Sequence, residues 1–242
     1  MNNTFSYDDV LLVPQFSDIR SRSEIDISTD WGKGVILQLP IFASPMDTIS
    51  EGAMGSVMGK VGASAIVHRY NTIQEQMNHV NKVESPRIIG GAIGISGDYL
   101  ERASALVDYG ADFLCVDVAH GHHIMMKEGI NDLSDWGADS VRCNIGGGSI
   151  CSTRIQTGHG LPGLQTIIEC AKTDRDVKII ADGGIKNSGD MVKALAAGAD
   201  AVMVGSLLAG TTETPGDILM DAKGTRWKTY RGMASKEAQV GW

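Results

Sequence analysis

Three times along the chain a helix-like stretch ends in Gly-Ala-Asp and gives way at once to an apolar run, at residues 110–112, 137–139 and 198–200. Glycine suits a helix C-terminus because it accepts a left-handed backbone, so each triplet marks a helix-to-strand junction. Repetition of one junction predicts a repeated βα unit and a parallel sheet. Seven apolar runs read as its strands: residues 41–44, 63–67, 88–95, 113–118, 140–144, 177–181 and 201–204. Helix-like segments, such as 99–109 and 190–197, lie between most of them. A doubly wound sheet competes with a closed barrel. The segments after nearly every run are rich in Gly, Ser, Asp and His, as expected if all of them open onto one mouth, which favours the barrel. The predicted fold is therefore α/β, a TIM-type (β/α)8 barrel short of one strand, in a single domain over residues 1–242. Residues 110–137 have room for one βα unit only, and 137–198 for two.

A net charge of -8 argues against a general nucleic-acid binder, yet leaves room for a small phosphate held by backbone N–H groups. No apolar run approaches the roughly 18 residues that span a bilayer. The polar start, residues 1–9, lacks the apolar core of a signal peptide. The four cysteines form no CxxC pair, so zinc is not expected. Cys115, Cys143 and Cys170 sit among apolar residues and read as core. These features together predict a cytoplasmic protein in a reducing compartment.

Cys151 differs. It lies in NIGGGSICSTR, residues 144–154, directly after a predicted strand. Gly146, Gly147 and Gly148 let that loop turn sharply and expose backbone amides and carbonyls. A thiol on such a polar loop is a candidate nucleophile, and Arg154 nearby favours its thiolate. The alternative is a glycine turn with an incidental cysteine. In IIADGGI, residues 179–185, Asp182 ends a strand before two glycines. It is placed either to accept hydrogen bonds from a ribose diol or to cap a helix. Gly205 and Ser206 close the last strand, where barrels often hold phosphate. DVAHGHH, residues 117–123, follows another strand. Its histidines lack a metal-ligand spacing and read as a polar wall for a second substrate or cofactor, and His68-Arg69 reads similarly. YRGM, residues 230–233, offers a hydroxyl for phosphate and backbone groups for a base.

Taken together, YDDVLLVP (7–14), ASPMDT (43–48), GSICSTR (148–154), IADGGI (180–185), VGSLLAG (204–210) and YRGM (230–233) resemble the inosine-monophosphate dehydrogenase and guanosine-monophosphate reductase family over nearly the whole chain. The resemblance implies a homotetrameric barrel enzyme in which Cys151 attacks C2 of a purine nucleoside monophosphate, with Thr153 helping to activate water or ammonia. It implies that Ser44, Ser149, Asp182, Gly184, Gly205, Ser206, Tyr230, Gly232 and Met233 hold the nucleotide. Asp117 and Ala119 would face the nicotinamide cofactor, and the carbonyls of Gly146, Gly148 and Cys151 would hold potassium. In the dehydrogenase branch IMP becomes XMP with NAD; in the reductase branch GMP becomes IMP and ammonia with NADPH. The family's regulatory insertion, expected after residues 68–71, is missing, which favours the reductase, whereas YRGM looks more like the dehydrogenase, the direction preferred here. A non-catalytic nucleotide-binding relic and an FMN-dependent barrel oxidase are the further alternatives. Two departures from the family pattern stand out. The Gly-Asn-Val segment of the fifth barrel strand has no counterpart, since residues 127–133 run straight into 134–139. The chain also ends at Trp242, before the family's flap and C-terminal segment. Both lead to an expectation of weak or absent catalysis.

Overall fold

The computed structural model describes residues 4–84, 87–117, 126–135, 137–144, 146–233, 235 and 238. A small antiparallel pair, β1 (Thr29–Gly32) and β2 (Val35–Leu37), precedes the main unit. Strands and helices then alternate: β3 (Ile41–Ala43), α1 (Gly52–Lys60), β4 (Ser64–Val67), α2 (Ile73–Asn81), β5 (Ile89–Ile93), α3 (Tyr99–Asp108), β6 (Phe113–Val116), α4 (Met126–Asp135), β7 (Ser140–Cys143), α5 (Thr153–Thr157), α6 (Gly163–Cys170), β8 (Lys178–Asp182), α7 (Ser188–Ala196) and β9 (Ala201–Val204). A two-residue hairpin follows, β10 (Leu219–Met220) with β11 (Arg226–Trp227).

The sheet decides between the two architectures. Its order is β6-β5-β4-β3-β9-β8-β7, and every pairing is parallel. The first strand of the series pairs with the last, β3 with β9, as in a barrel. Walking round it, strands consecutive in sequence lie side by side except β6 and β7, which are the two edges. Among the described residues this is an incomplete TIM barrel of seven strands, open at the place where the sequence lacks a strand. All seven predicted strands are present, with ends shifted by a residue or two.

The Gly-Ala-Asp repeat has a physical cause. At each copy the glycine N–H bonds three residues back and the alanine N–H five residues back, to Val107 and Leu106, to Ser134 and Leu133, and to Leu195 and Ala194. This is the Schellman arrangement, and Gly110, Gly137 and Gly198 supply its positive φ of 89°, 97° and 109°. The aspartate then ties the new strand to its neighbour. Asp112 and Asp200 each accept the N–H of the adjacent strand's Ile89 or Ile179 at 2.8 Å. Asp139 departs from this: its backbone carbonyl takes the Lys178 N–H, while its carboxylate pairs with Lys33.

Burial follows strand alternation. Phe42, Ile66, Ala92, Cys115, Ile180 and Met203 point into the barrel. Phe42 packs against Trp31 at 5.0 Å and edge-on to Phe113 at 5.8 Å between ring centroids. The opposite faces pack on the helices in two clusters, one around Met54, Val80, Ile89 and Leu106, the other around Leu164, Ile167, Cys170 and Ile179. Cys115, Cys143 and Cys170 are buried, as read from the sequence, and Cys151 is half-buried. Among the described residues no helix is long and apolar enough to cross a membrane.

Candidate active site

The C-terminal ends of the strands gather three loops. The loop after β7 is braced from within by Asn144, whose Oδ1 accepts the Gly147 N–H at 2.9 Å. The same side chain lies against Gly183, in the loop after β8. A Cβ on Gly183 would sit 2.5 Å from Asn144 Nδ2 and 3.0 Å from the Gly148 nitrogen, and φ there is +80°. Gly184 abuts the Gly147 carbonyl in the same way, at 3.2 Å from its Cβ position. The glycines of the two loops are therefore there for contact: each backbone occupies the space a side chain would take. Tyr7 closes the outer side. Its ring packs on Gly163 and near Gly184, Lys193 Nζ donates to its carbonyl at 2.7 Å, and burial pushes its hydroxyl up to about 12.

Cys151 follows in this braced loop. Its N–H donates to the Gly148 carbonyl at 3.1 Å, and its Sγ lies 3.3 Å from Thr153 Oγ1. The loop's other flank meets the YRGM segment. Ile150 O lies 3.1 Å from the Cβ position of Gly232, and the Ser149 side chain is hydrogen-bonded to Tyr230. Burial raises the Tyr230 hydroxyl above its ordinary range, with the Ser149 contact opposing and the Asp182 charge adding to the rise. Tyr230 Oη in turn stands 3.3 Å, and Ser44 Oγ 3.5 Å, from the Cβ position of Gly205, after β9. Met233 is fixed from β3's side, its sulfur accepting the Asp47 N–H at 3.4 Å, and Arg231 pairs with Asp47. A half-exposed thiol, a strand-end carboxylate and a hydroxyl-lined glycine cradle thus share one mouth.

On the far side of the mouth Asp117 follows β6. Its carbonyl accepts Arg69 Nε at 3.2 Å, and Arg69 lines a cavity of about 350 Å3 with Gly94, Ser96, Gly97, Asp98 and Arg102. Arg102 is 3% exposed and spent internally: it pairs with Asp98 at 2.6 Å and donates to Gln76 Oε1 at 2.7 Å. That bond holds the Asp98 carboxyl below its usual range.

Two segments of the chain, residues 4–128 and 123–241, match the family described as the IMP dehydrogenase / GMP reductase domain. The chain belongs to the IMP dehydrogenase / GMP reductase family. Relatives from both branches are similar to it. An inosine-5'-monophosphate dehydrogenase of Nitrosopumilus maritimus is 30% identical, covering 98% of this chain and 81% of its own. One from Cryptosporidium parvum is 33% identical over 95% of this chain and 74% of its own. A GMP reductase of Leishmania major is 29% identical over 97% and 80%. The crystal structure of inosine 5' monophosphate dehydrogenase from Legionella pneumophila superposes with a TM-score of 0.88 at 41% identity, covering 98% of this chain and 80% of that one. The Nitrosopumilus alignment runs over 386 positions against 242 residues here, so long stretches of that relative face gaps in this member of the family.

Of the residues picked out in the sequence, Cys151, Thr153, Ser149, Ser44, Asp182, Gly184, Gly205, Tyr230, Gly232 and Met233 come to this mouth, and Gly146 and Gly148 form the Cys151 loop. Ser206 is exposed at the end of the same cradle. Asp117 stands across the mouth. Ala119 and the three histidines of residues 117–123 lie outside the described residues. Sequence reasoning missed Asn144 as the brace between two loops and Arg142 entirely. An arginine between the apolar Val141 and Cys143 of the strand Ser140–Cys143 was the signal for the second.

Proposed function

We propose that the chain binds a purine nucleoside monophosphate at this mouth and oxidises IMP to XMP with NAD through a covalent adduct on Cys151. The observation that carries the reading is the packing of the Cys151 loop directly on the Asp182–Gly184 turn, with Tyr230 bridging to the Gly205 cradle. Phosphate would sit among Gly184, Gly205, Ser206 and the Tyr230 hydroxyl, with Ser44 and Ser149 beside them. Asp182 accepts from the ribose diol, and backbone groups of Gly232 and Met233 meet the base.

The residue chemistry follows. Purine C2 is a weak electrophile, so a soft sulfur nucleophile and a two-step route lower each barrier. The Cys151 thiolate adds to C2 and the C2 hydrogen departs as hydride. Water then attacks C2 of the resulting thioimidate, releasing XMP and restoring the thiol. Thr153 Oγ1, 3.3 Å from the sulfur, would orient that water. NAD supplies the hydride acceptor when bound. Asp117 and the polar cavity beside Arg69 fit one part of such a cofactor, and Ala119 is proposed to face it. Carbonyls of Gly146, Gly148 and Cys151 are the oxygen donors a potassium ion takes. The Gly148 carbonyl, already accepting the Cys151 N–H, keeps one lone pair for it.

The GMP reductase direction has its own support. Between β4 and β5 the chain places only α2 and short connections, with no inserted module, and a GMP reductase is among the relatives. A homo-oligomer, a tetramer by the family pattern, is proposed from the apolar side chains left in solvent on the first segment, where Leu11 is 85% and Phe16 96% exposed. The deciding experiment pairs IMP with NAD and GMP with NADPH, following nucleotide products chromatographically. XMP supports the dehydrogenase reading, IMP from GMP the reductase. With the barrel open beside Asp117, turnover is expected to be slow. Failure of both nucleotides to bind would refute the reading.

A further inference from the structure

An arginine inside a barrel is costly unless its charge is matched. Cys143 faces the helices beside Cys170, so Arg142, one residue earlier on β7, faces the interior. Its Nη2 donates to Asp182 Oδ2 at 2.8 Å. Its Nη1 donates to Asp117 Oδ1 at 3.0 Å and lies 3.5 Å from Cys115 Sγ. Burial works against this charge, but Asp182, Cys115 and Asp117 outweigh it and hold the guanidinium well above its ordinary range. Nε is buried without a partner among the described residues, so the Nη contacts to the two carboxylates and to Cys115 set the orientation of the group.

The location gives the contact its meaning. Asp182 ends β8, which is paired with β7. Asp117 follows β6 and is held to β5 by its N–H to the Ile93 carbonyl at 2.9 Å. β6 and β7 are the two edges of the open seam and share no ladder. One forked side chain therefore ties the two sides of the mouth where backbone pairing is missing. A planar guanidinium can hold two carboxylates at fixed angles; a lysine ammonium cannot.

We infer that Arg142 is a positioning residue for the nucleotide: anchored across the open seam on Asp117, it holds the Asp182 carboxylate aimed at the ribose hydroxyls. The inference rests on the proposed reading of Asp182 as the acceptor for those hydroxyls. Its signature is selective, because loss of the tie weakens only ligands that use the diol.

The test is calorimetric binding of IMP and of 2',3'-dideoxy-IMP, without cofactor, to the full chain and to Arg142→Lys and Arg142→Met. The unsubstituted protein should prefer IMP by on the order of ten- to a hundredfold, the value of hydrogen bonds to a charged acceptor. In both variants that preference should collapse toward equality while dideoxy-IMP binding is unchanged. Equal binding of the two ligands by the unsubstituted protein overturns the Asp182 reading and the inference with it. A preference retained in Arg142→Lys, or an equal loss for both ligands, overturns the inference alone. Should the Arg142 variants fail to fold, Asp117→Ala decides, since it removes the anchoring acceptor and leaves Arg142 and Asp182 unsubstituted. A reduced preference supports the tie, and an undiminished one overturns it.

Discussion

Substituting Gly183 by alanine tests the contact on which the proposed site depends. At φ +80° an L-residue costs about 1–2 kcal/mol for its backbone alone. The new Cβ would then stand 2.5 Å from Asn144 Nδ2 and 3.0 Å from the Gly148 nitrogen. The first neighbour is a side chain already bonded to Gly147, and the second is backbone, so neither yields freely. Overpacking of this kind adds about 1–3 kcal/mol. Gly158 supplies the control, with φ +70° and nothing within 4 Å of its Cβ position. Urea unfolding should show Gly158→Ala losing only the backbone share, about 1–2 kcal/mol, and Gly183→Ala losing about 2–5 kcal/mol. Where the Cys151 loop moves aside instead, the missing stability should reappear as weakened IMP binding. Equal stability losses in the two variants, with IMP affinity intact in Gly183→Ala, would refute the packing of these loops.

Further outcomes follow from the same structure. Phe42→Ala, which empties the barrel interior beside Trp31 and Phe113, should cost about 3–5 kcal/mol in the same unfolding assay. His79 is held below its ordinary value of 6.5, first by burial, with Glu51 opposing. A histidine that the fold prefers neutral stabilises fully above the unfolded value, and the contribution is lost as pH falls through 6.5 toward the lowered folded value. Thermal unfolding between pH 7.5 and 5 should therefore show a decline that His79→Gln flattens. Thr153→Ala should slow release of product from the Cys151 adduct more than it slows adduct formation, read by rapid quench.

The barrel was legible because its signals are local. A Schellman turn needs glycine at one position, and the strand that follows is apolar, so Gly110, Gly137 and Gly198 mark their junctions in the sequence itself. The missing strand was legible too, as a spacing too short between Gly110 and Gly137, and the open β6–β7 seam is its structural counterpart. The candidate site was legible where motifs carry it: Cys151, Asp182, Gly205 and Tyr230 each stand at a strand end or in a distinctive loop. Arg142 was not, because its importance comes from two carboxylates that stand 25 residues before it and 40 after it and meet only when the sheet curls. Asn144 was read as part of a turn, and its grip on Gly183 is likewise visible only when two strands lie side by side. The run from Leu11 to Phe16 reads in sequence as ordinary apolar chain, and only the fold shows that the described residues leave Leu11, Val13 and Phe16 largely exposed.

The central claim is that the Cys151 sulfur meets the base of a nucleotide held by the neighbouring strand ends. Intact mass after mixing with 6-chloropurine ribotide, whose chloride is displaceable, measures this directly. A single covalent increment should appear, map to Cys151, vanish in Cys151→Ala and be suppressed by excess IMP. No increment, or one that maps to Cys115, Cys143 or Cys170 or persists in Cys151→Ala, would contradict the claim.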